Sequence, residues 1–168
     1  IDSASNYGSS ARLELLSKMK TKDFNAAIIP AEALGILTSS PDNYSEINLS
    51  EGDEILLEDL SKRLAALGYS YTERVETRGQ FCVRGGIVDV FSNNEELPYR
   101  IEFFGDEIDT VSYFEPDTQR RTDRVEKAKI TPAKELTADI AAEILEKTEK
   151  MTDKYTAEDR ELLQNGII

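Results

Sequence analysis

A chain of 168 residues, 39% hydrophobic and 32% charged, has room for one full domain, or one domain plus part of another. Its formal charge of −13 argues against non-specific nucleic-acid binding, because so many carboxylates repel phosphate. With no histidine and one cysteine, Cys82, the commonest general base, a Cys-rich zinc site and an internal disulfide framework are excluded, and the lone thiol fits a reducing cytoplasm.

The start at Ile1, without a methionine, reads as a piece excised from a longer protein. No apolar run approaches membrane-spanning length, so no membrane role is expected. No Gly-x-x-x-x-Gly-Lys-Ser/Thr loop occurs, so the chain cannot hold a nucleotide by that device. Neither a cofactor, a metal nor a catalytic residue is expected in it.

Residues 1–41 read as α/β. Ser10 can cap a helix with Leu13, Leu16 and Met19 at helical spacing. Residues 26–29 form a short apolar run, as in a buried parallel strand. Pro30 suits the first turn of a helix over 31–37. These elements are too few to bury both faces of a sheet, so the segment reads as the end of a larger α/β domain.

A turn at Pro41, Asp42 and Asn43 follows. Ile47, Leu49, Ile55 and Leu56 suggest two short strands around Gly52. Leu57, Leu60, Leu64 and Leu67 share one stripe of a helix over 57–67. Arg63 suits its C-terminal end, and Gly68 supplies a left-handed stop.

From Tyr69 the apolar period becomes two. Residues 69–75, 80–84, 87–91, 99–104 and 107–113 read as strands. A two-residue Gly105-Asp106 loop makes a hairpin of the last two. Gly85-Gly86 reads as a bulge between strands that needs positive φ. The basic run Arg120, Arg121, Arg124, Lys127 and Lys129 is interleaved with acids and reads as a solvated face. Residues 137–168 return to helix, with Thr137 as a cap and Ile140, Ile144 and Leu145 apolar. Thr156 to Asp159 has capping-box spacing, and Gly166 ends the segment. The fold class is therefore α+β: a twisted antiparallel sheet with one covering helix, flanked by a partial α/β segment and C-terminal helices.

The Gly105-Asp106 loop sets a register. Phe104 opposes Glu107, Phe103 opposes Ile108, Glu102 opposes Asp109 and Arg100 opposes Val111. Tyr99, Ile101 and Phe103 then share the core face, and Arg100, Glu102 and Phe104 the other. That second face is odd. It carries a large apolar ring on a charged row, and like charges opposite each other. Arg84 can join Arg100 there if its strand lies in the same sheet. Arginine and aromatic residues together are enriched at binding hot spots. Two readings stand at this point: Arg84, Arg100 and Phe104 form a recognition surface, or another element covers Phe104 while Arg100 neutralises Glu102 or Asp109.

At these residues a family resemblance becomes specific. Gly79-Gln-Phe-Cys-Val-Arg-Gly-Gly-Ile-Val-Asp-Val-Phe91, with Arg100-Ile-Glu-Phe-Phe-Gly-Asp-Glu-Ile108, resembles the UvrA-binding module shared by UvrB helicases and transcription-repair coupling factors. Gly68-Tyr69, Arg74-Val-Glu76, Phe114-Glu-Pro-Asp-Thr-Gln-Arg120 and Ile130-Thr-Pro-Ala-Lys-Glu135 resemble the coupling factors. A UvrB would typically show Gly-Asp where this chain has Gly85-Gly86. Position 92 is Ser, where the family often has Pro.

The resemblance implies that residues 1–43 end a degenerate helicase-like domain. It implies that 44–136 are an inserted UvrA-binding α+β domain, and that 137–168 return into the helicase-like part. It implies UvrA recruitment to stalled RNA polymerase in nucleotide excision repair, with Arg84, Arg100 and Phe104 as the UvrA contacts. ATP, Mg, RNA polymerase and DNA would belong to other parts of the parent, an ATP-dependent DNA translocase. The alternatives are the equivalent part of a UvrB, or a purely scaffolding domain.

Overall fold

The computed structural model describes residues 46–135 continuously, and ten positions between Arg12 and Ile28. Residues 46–135 hold eight strands and one helix, in the order β1 (Ile47–Ser50), α1 (Leu57–Ala66), β2 (Ser70–Tyr71), β3 (Gln80–Arg84), β4 (Ile87–Val90), β5 (Tyr99–Phe104), β6 (Glu107–Phe114), β7 (Arg121–Arg124) and β8 (Lys127–Ile130). Six strands form one sheet in chain order, β2 to β7, while β1 and β8 pair as a separate antiparallel ribbon. This is the expected α+β architecture of a mostly antiparallel sheet with one helix. One pair departs from it, because β2 and β3 run parallel.

Alternation explains the core. Phe81, Val88, Val90, Tyr99, Ile101, Ile108 and Val111 project from one face of the sheet. Leu60, Leu64 and Leu67 of the α1 stripe cover that face, together with Ile47 and Leu49 of β1 and Ala128 and Ile130 of β8. The ribbon register pairs Ile47 with Ile130 and Leu49 with Ala128, so each apolar pair points inward at once. Each isoleucine or leucine among them, fully buried, contributes about 1.5–3 kcal/mol.

Helix α1 stops as Gly68 predicts. Gly68 has φ +87° and donates to the Ala65 carbonyl at 2.9 Å, while the Tyr69 N–H reaches Leu64 at 3.1 Å. This pair of bonds is the Schellman closure that a residue in the left-handed region permits. A side chain at position 68 would also meet the Lys134 side chain, 2.9 Å from the position of its Cβ.

Several expectations need correction. The strand over 69–75 is only Ser70–Tyr71. Beyond the Thr72 N–H, bonded to Phe81 at 2.9 Å, the chain leaves the sheet, and Val75 turns onto the other face. Ile55 and Leu56 form no strand. Their loop is instead pinned to the β5–β6 hairpin by Ile55 N–H to the Asp106 carbonyl and Ile108 N–H to the Asp53 carbonyl, both 2.9 Å. Gly85-Gly86 is a two-residue hairpin loop, with Arg84 paired to Ile87 and Gly85 at φ +59°.

The bulge lies elsewhere. Phe103 pairs with Ile108 and Phe104 with Glu107 as expected, but Glu102 pairs with Thr110 and Arg100 with Ser112. Asp109 is the extra residue, exposed at the bulge. The bulge removes the expected opposition of Glu102 and Asp109. It also shifts β6 so that Val111 faces the core and Ser112 faces Arg100.

Strands β7 and β8 were not anticipated from the period. All four residues of β7 are exposed, so no alternation marks it, and its charges suit an edge strand. The basic run is solvated, as expected, and ion-paired: Arg121 with Glu102, Arg124 with Glu51 and Lys129 with Glu46.

Before residue 46, Leu13 and Leu16 are helical and buried, and Met19 is helical and exposed. Arg12 forms a forked pair with Glu135, at 2.6 and 3.2 Å. Neither Ala26 nor Ile28 is in a strand, and Ile28 is 98% exposed. The expected buried strand is absent at these two positions. The Ser10 cap, the turn at 41–43 and the helices expected over 31–37 and 137–168 lie outside the described residues. No helix among the described residues is long and apolar enough to cross a membrane.

Candidate protein-interaction site

The second face of the sheet is divided along its strands. At one end Val75, Cys82, Phe91 and Phe114 form a small apolar cluster. At the other end Phe104 stands at the β5–β6 hairpin. Between them lies a charged centre.

That centre is built on Asp89. The two-residue loop at Gly85-Gly86 puts Cys82 opposite Asp89, and the β4–β5 register puts Arg100 on its other side. Arg84 lies one diagonal away, within reach of a long side chain. The Asp89 carboxylate is fully buried. Arg100 grips it with a fork, Nε to Oδ1 and Nη2 to Oδ2, both 2.8 Å. Arg84 adds Nη2 to Oδ2 at 2.5 Å. Charge-assisted bonds of this kind satisfy a carboxylate removed from water.

The two arginines differ in what remains of them. Arg100 is 13% exposed at its side chain. Its Nη1 donates to the Gln119 carbonyl at 3.0 Å, and its guanidinium lies 4.5 Å from the centroid of the Phe114 ring. Arg84 is 46% exposed, and its Nε and Nη1 make no hydrogen bond among the described residues. One carboxylate against two guanidinium groups leaves a surplus positive charge, and the exposed Arg84 carries it.

Phe104 is 84% exposed. The bonds that pin Asp53 and Ile55 to the hairpin hold its backbone. Glu102, on the same face, is paired to Arg121 rather than to Arg100. The structure thus brings Arg84 and Arg100 together on one carboxylate. It sets Phe104 on the same face, at the end of β5.

Asp89 is the member that the sequence reading missed. Its signal is phase: counted through the Gly85-Gly86 loop, it falls on the face of Cys82 and Arg84. The alternative that Arg100 neutralises Glu102 or Asp109 is corrected, because its carboxylate is Asp89. Ser92, where the family often has Pro, is buried and bonded. It accepts from the Thr131 N–H at 3.0 Å and lies 3.2 Å from the Tyr69 hydroxyl.

Cys82 offers no nucleophile. Burial pushes its thiol above the ordinary value, and the Asp89 charge adds to this. Cys82 is therefore expected to resist a thiol reagent in the native protein at mildly alkaline pH and to react fully in denaturant. Labelling of the native protein at the rate of a free thiol would show that this face is open. Among the described residues no group of Cys, Asp and Glu side chains could hold a metal ion. Arginine and exposed aromatic residues on one face are the types enriched at contact surfaces.

A family model described as the UvrB interaction domain matches residues 47–136. The transcription-repair-coupling factor of Escherichia coli (strain K12) is 32% identical over 136 residues, covering 79% of this chain and 12% of that protein. That of Haemophilus influenzae is 31% identical over 133 residues, covering 77% of this chain and 12% of the relative. The UvrABC system protein B of Thermosipho africanus is 30% identical over 131 residues, covering 73% of this chain and 20% of the relative. The chain spans only 12% to 20% of the length of these three relatives. With the match over 47–136 taking in more than half of its 168 residues, the chain belongs to the UvrB interaction domain family.

Proposed function

We propose that this domain is a recruitment module that binds UvrA as part of a transcription-repair coupling factor, with Phe104, Arg84 and Arg100 at the contact. The observation that carries this reading is the 84% exposure of Phe104 on a pinned hairpin, on the same face of the sheet as an arginine with unused donors. A large ring held out in water has no stabilising role in the domain itself. It gains most when a partner covers it. Arg84 suits a carboxylate on that partner. Arg100, mostly enclosed, contributes chiefly by holding Asp89 and Arg84 in place.

Recruitment to stalled RNA polymerase, contact with DNA, and ATP hydrolysis with Mg would belong to other parts of the parent, acting in the cytoplasm. The equivalent part of a UvrB is the second reading, supported by the 30% identity to a UvrABC system protein B. Gly85-Gly86 in place of Gly-Asp favours the coupling factor.

Titration calorimetry of the 168-residue chain against purified UvrA tests the proposal. Saturable heat with co-elution of the two proteins is the expected result. No heat and no co-elution would leave a scaffolding domain.

A further inference from the structure

The candidate face is braced by a loop that reaches it through a backbone carbonyl. The β6–β7 connection, residues 115–120, folds over the second face and reaches Arg100 from the side opposite Asp89. Gln119 is its key residue. It sits at φ +60°, in the left-handed region that residues with side chains seldom adopt. In this conformation its carbonyl accepts from Arg100 Nη1 at 3.0 Å.

Its side chain holds it there. Gln119 Nε2 donates to the Pro116 carbonyl at 2.7 Å, inside the loop, and to the Val75 carbonyl at 3.1 Å, on a distant segment. Its backbone N–H closes the loop onto the Glu115 carbonyl at 2.7 Å. The same amide therefore fixes the loop and holds Val75 down over Cys82, Phe91 and Phe114. Gln119 Oε1 is buried without a hydrogen-bond partner, so the amide lies as its two donors require. Arg74 braces the loop from outside, through Nη2 to the carbonyls of Pro116 at 3.1 Å and Asp117 at 2.5 Å.

We propose that Gln119 is a positioning residue for the recognition face, acting on Arg84 through Arg100 and Asp89. The relay is continuous: Gln119 carbonyl, Arg100 guanidinium, Asp89 carboxylate, Arg84 guanidinium. It sets the direction of the exposed donors of Arg84 before a partner arrives, and pre-organised donors bind at lower ordering cost. The part that concerns partner binding rests on the UvrA reading; the clasp on Arg100 does not.

Two variants of the full chain test this. Gln119→Gly accepts positive φ but removes the side-chain clasp. Gln119→Glu keeps the shape but faces the two carbonyls with acceptors in place of donors. Proton–nitrogen NMR reads the Nε–H signals of Arg100 and Arg84, that of Arg100 being identified by its contact with the Phe114 ring. In both variants the Arg100 signal is expected to exchange with water about tenfold faster, with the backbone signals of β4 and β5 in place. Affinity for UvrA should fall by about tenfold, the size of one hydrogen bond to a charged group. Gln119→Gly combined with Arg84→Ala should cost little more than Arg84→Ala alone.

An unchanged Arg100 signal in Gln119→Gly overturns the proposal, as do additive losses in the double variant. If Gln119→Glu does not fold, Gln119→Gly decides. If the wild-type chain does not bind UvrA, the recruitment reading falls, and the Arg100 signal alone decides whether the clasp exists.

Discussion

Phe104→Ala is expected to weaken UvrA binding by roughly thirtyfold, about 2 kcal/mol, as for a central aromatic anchor. Its folding stability should stay within about 0.5 kcal/mol of the parent, as for an exposed position with no buried role. Phe103→Ala should do the reverse. Its ring packs partly buried against the main core, on the opposite face of the same strand. A buried phenylalanine costs about 3–5 kcal/mol on truncation, and a partly buried one belongs near the low end. The pair is a strict test, because the two residues are neighbours with the same side chain. Titration calorimetry and urea unfolding of both variants separate the effects. A Phe104→Ala variant that unfolds easily while Phe103→Ala does not would mean that the assigned faces are reversed.

Phe103 and Phe104 also show how far the sequence is legible. A two-residue Gly-Asp loop sets the register beside it, and the alternation of Tyr99, Ile101 and Phe103 orients the strand. Both are local and were readable. The bulge at Asp109 was not. An extra residue three positions past the loop leaves no mark on composition, and only the inward pull of Val111 on the far side reveals it. The short β2 strand was over-read for a related reason. Tyr69, Tyr71, Glu73 and Val75 alternate in sequence, but Val75 serves a different cluster on the other face. Alternation cannot tell which core a residue joins.

Of the candidate site, Arg84, Arg100 and Phe104 are legible in the sequence, as two cations and a ring that share one face of the strands. Asp89 sits between two valines and looks like an ordinary strand carboxylate. Its burial comes from three strands at once and from the loop over Arg100. Such a feature depends on pairing between distant segments, which no window of sequence contains. Gln119 is hidden more deeply, since its role rests on a backbone angle.

Asp89 accordingly carries the largest expected effect on stability. Asp89→Ala should destabilise the domain by about 3–5 kcal/mol, because it leaves the enclosed Arg100 without its counter-charge. Arg84 adds little to that cost, since its 46% exposure lets it turn to water. Most of the loss is the burden of an unpaired cation rather than the worth of the pair. Replacing both partners, Asp89→Leu with Arg100→Met, should therefore recover much of the stability lost by Asp89→Ala. UvrA affinity should not return with it, because Arg84 has lost the carboxylate that aims it. Urea unfolding gives the stabilities and calorimetry the affinities. A double variant no more stable than Asp89→Ala would show that the ion pair itself, not its imbalance, holds the sheet. A double variant that binds UvrA as the parent does would show that Arg84 needs no carboxylate to aim it, with the Asp89 centre serving only the fold.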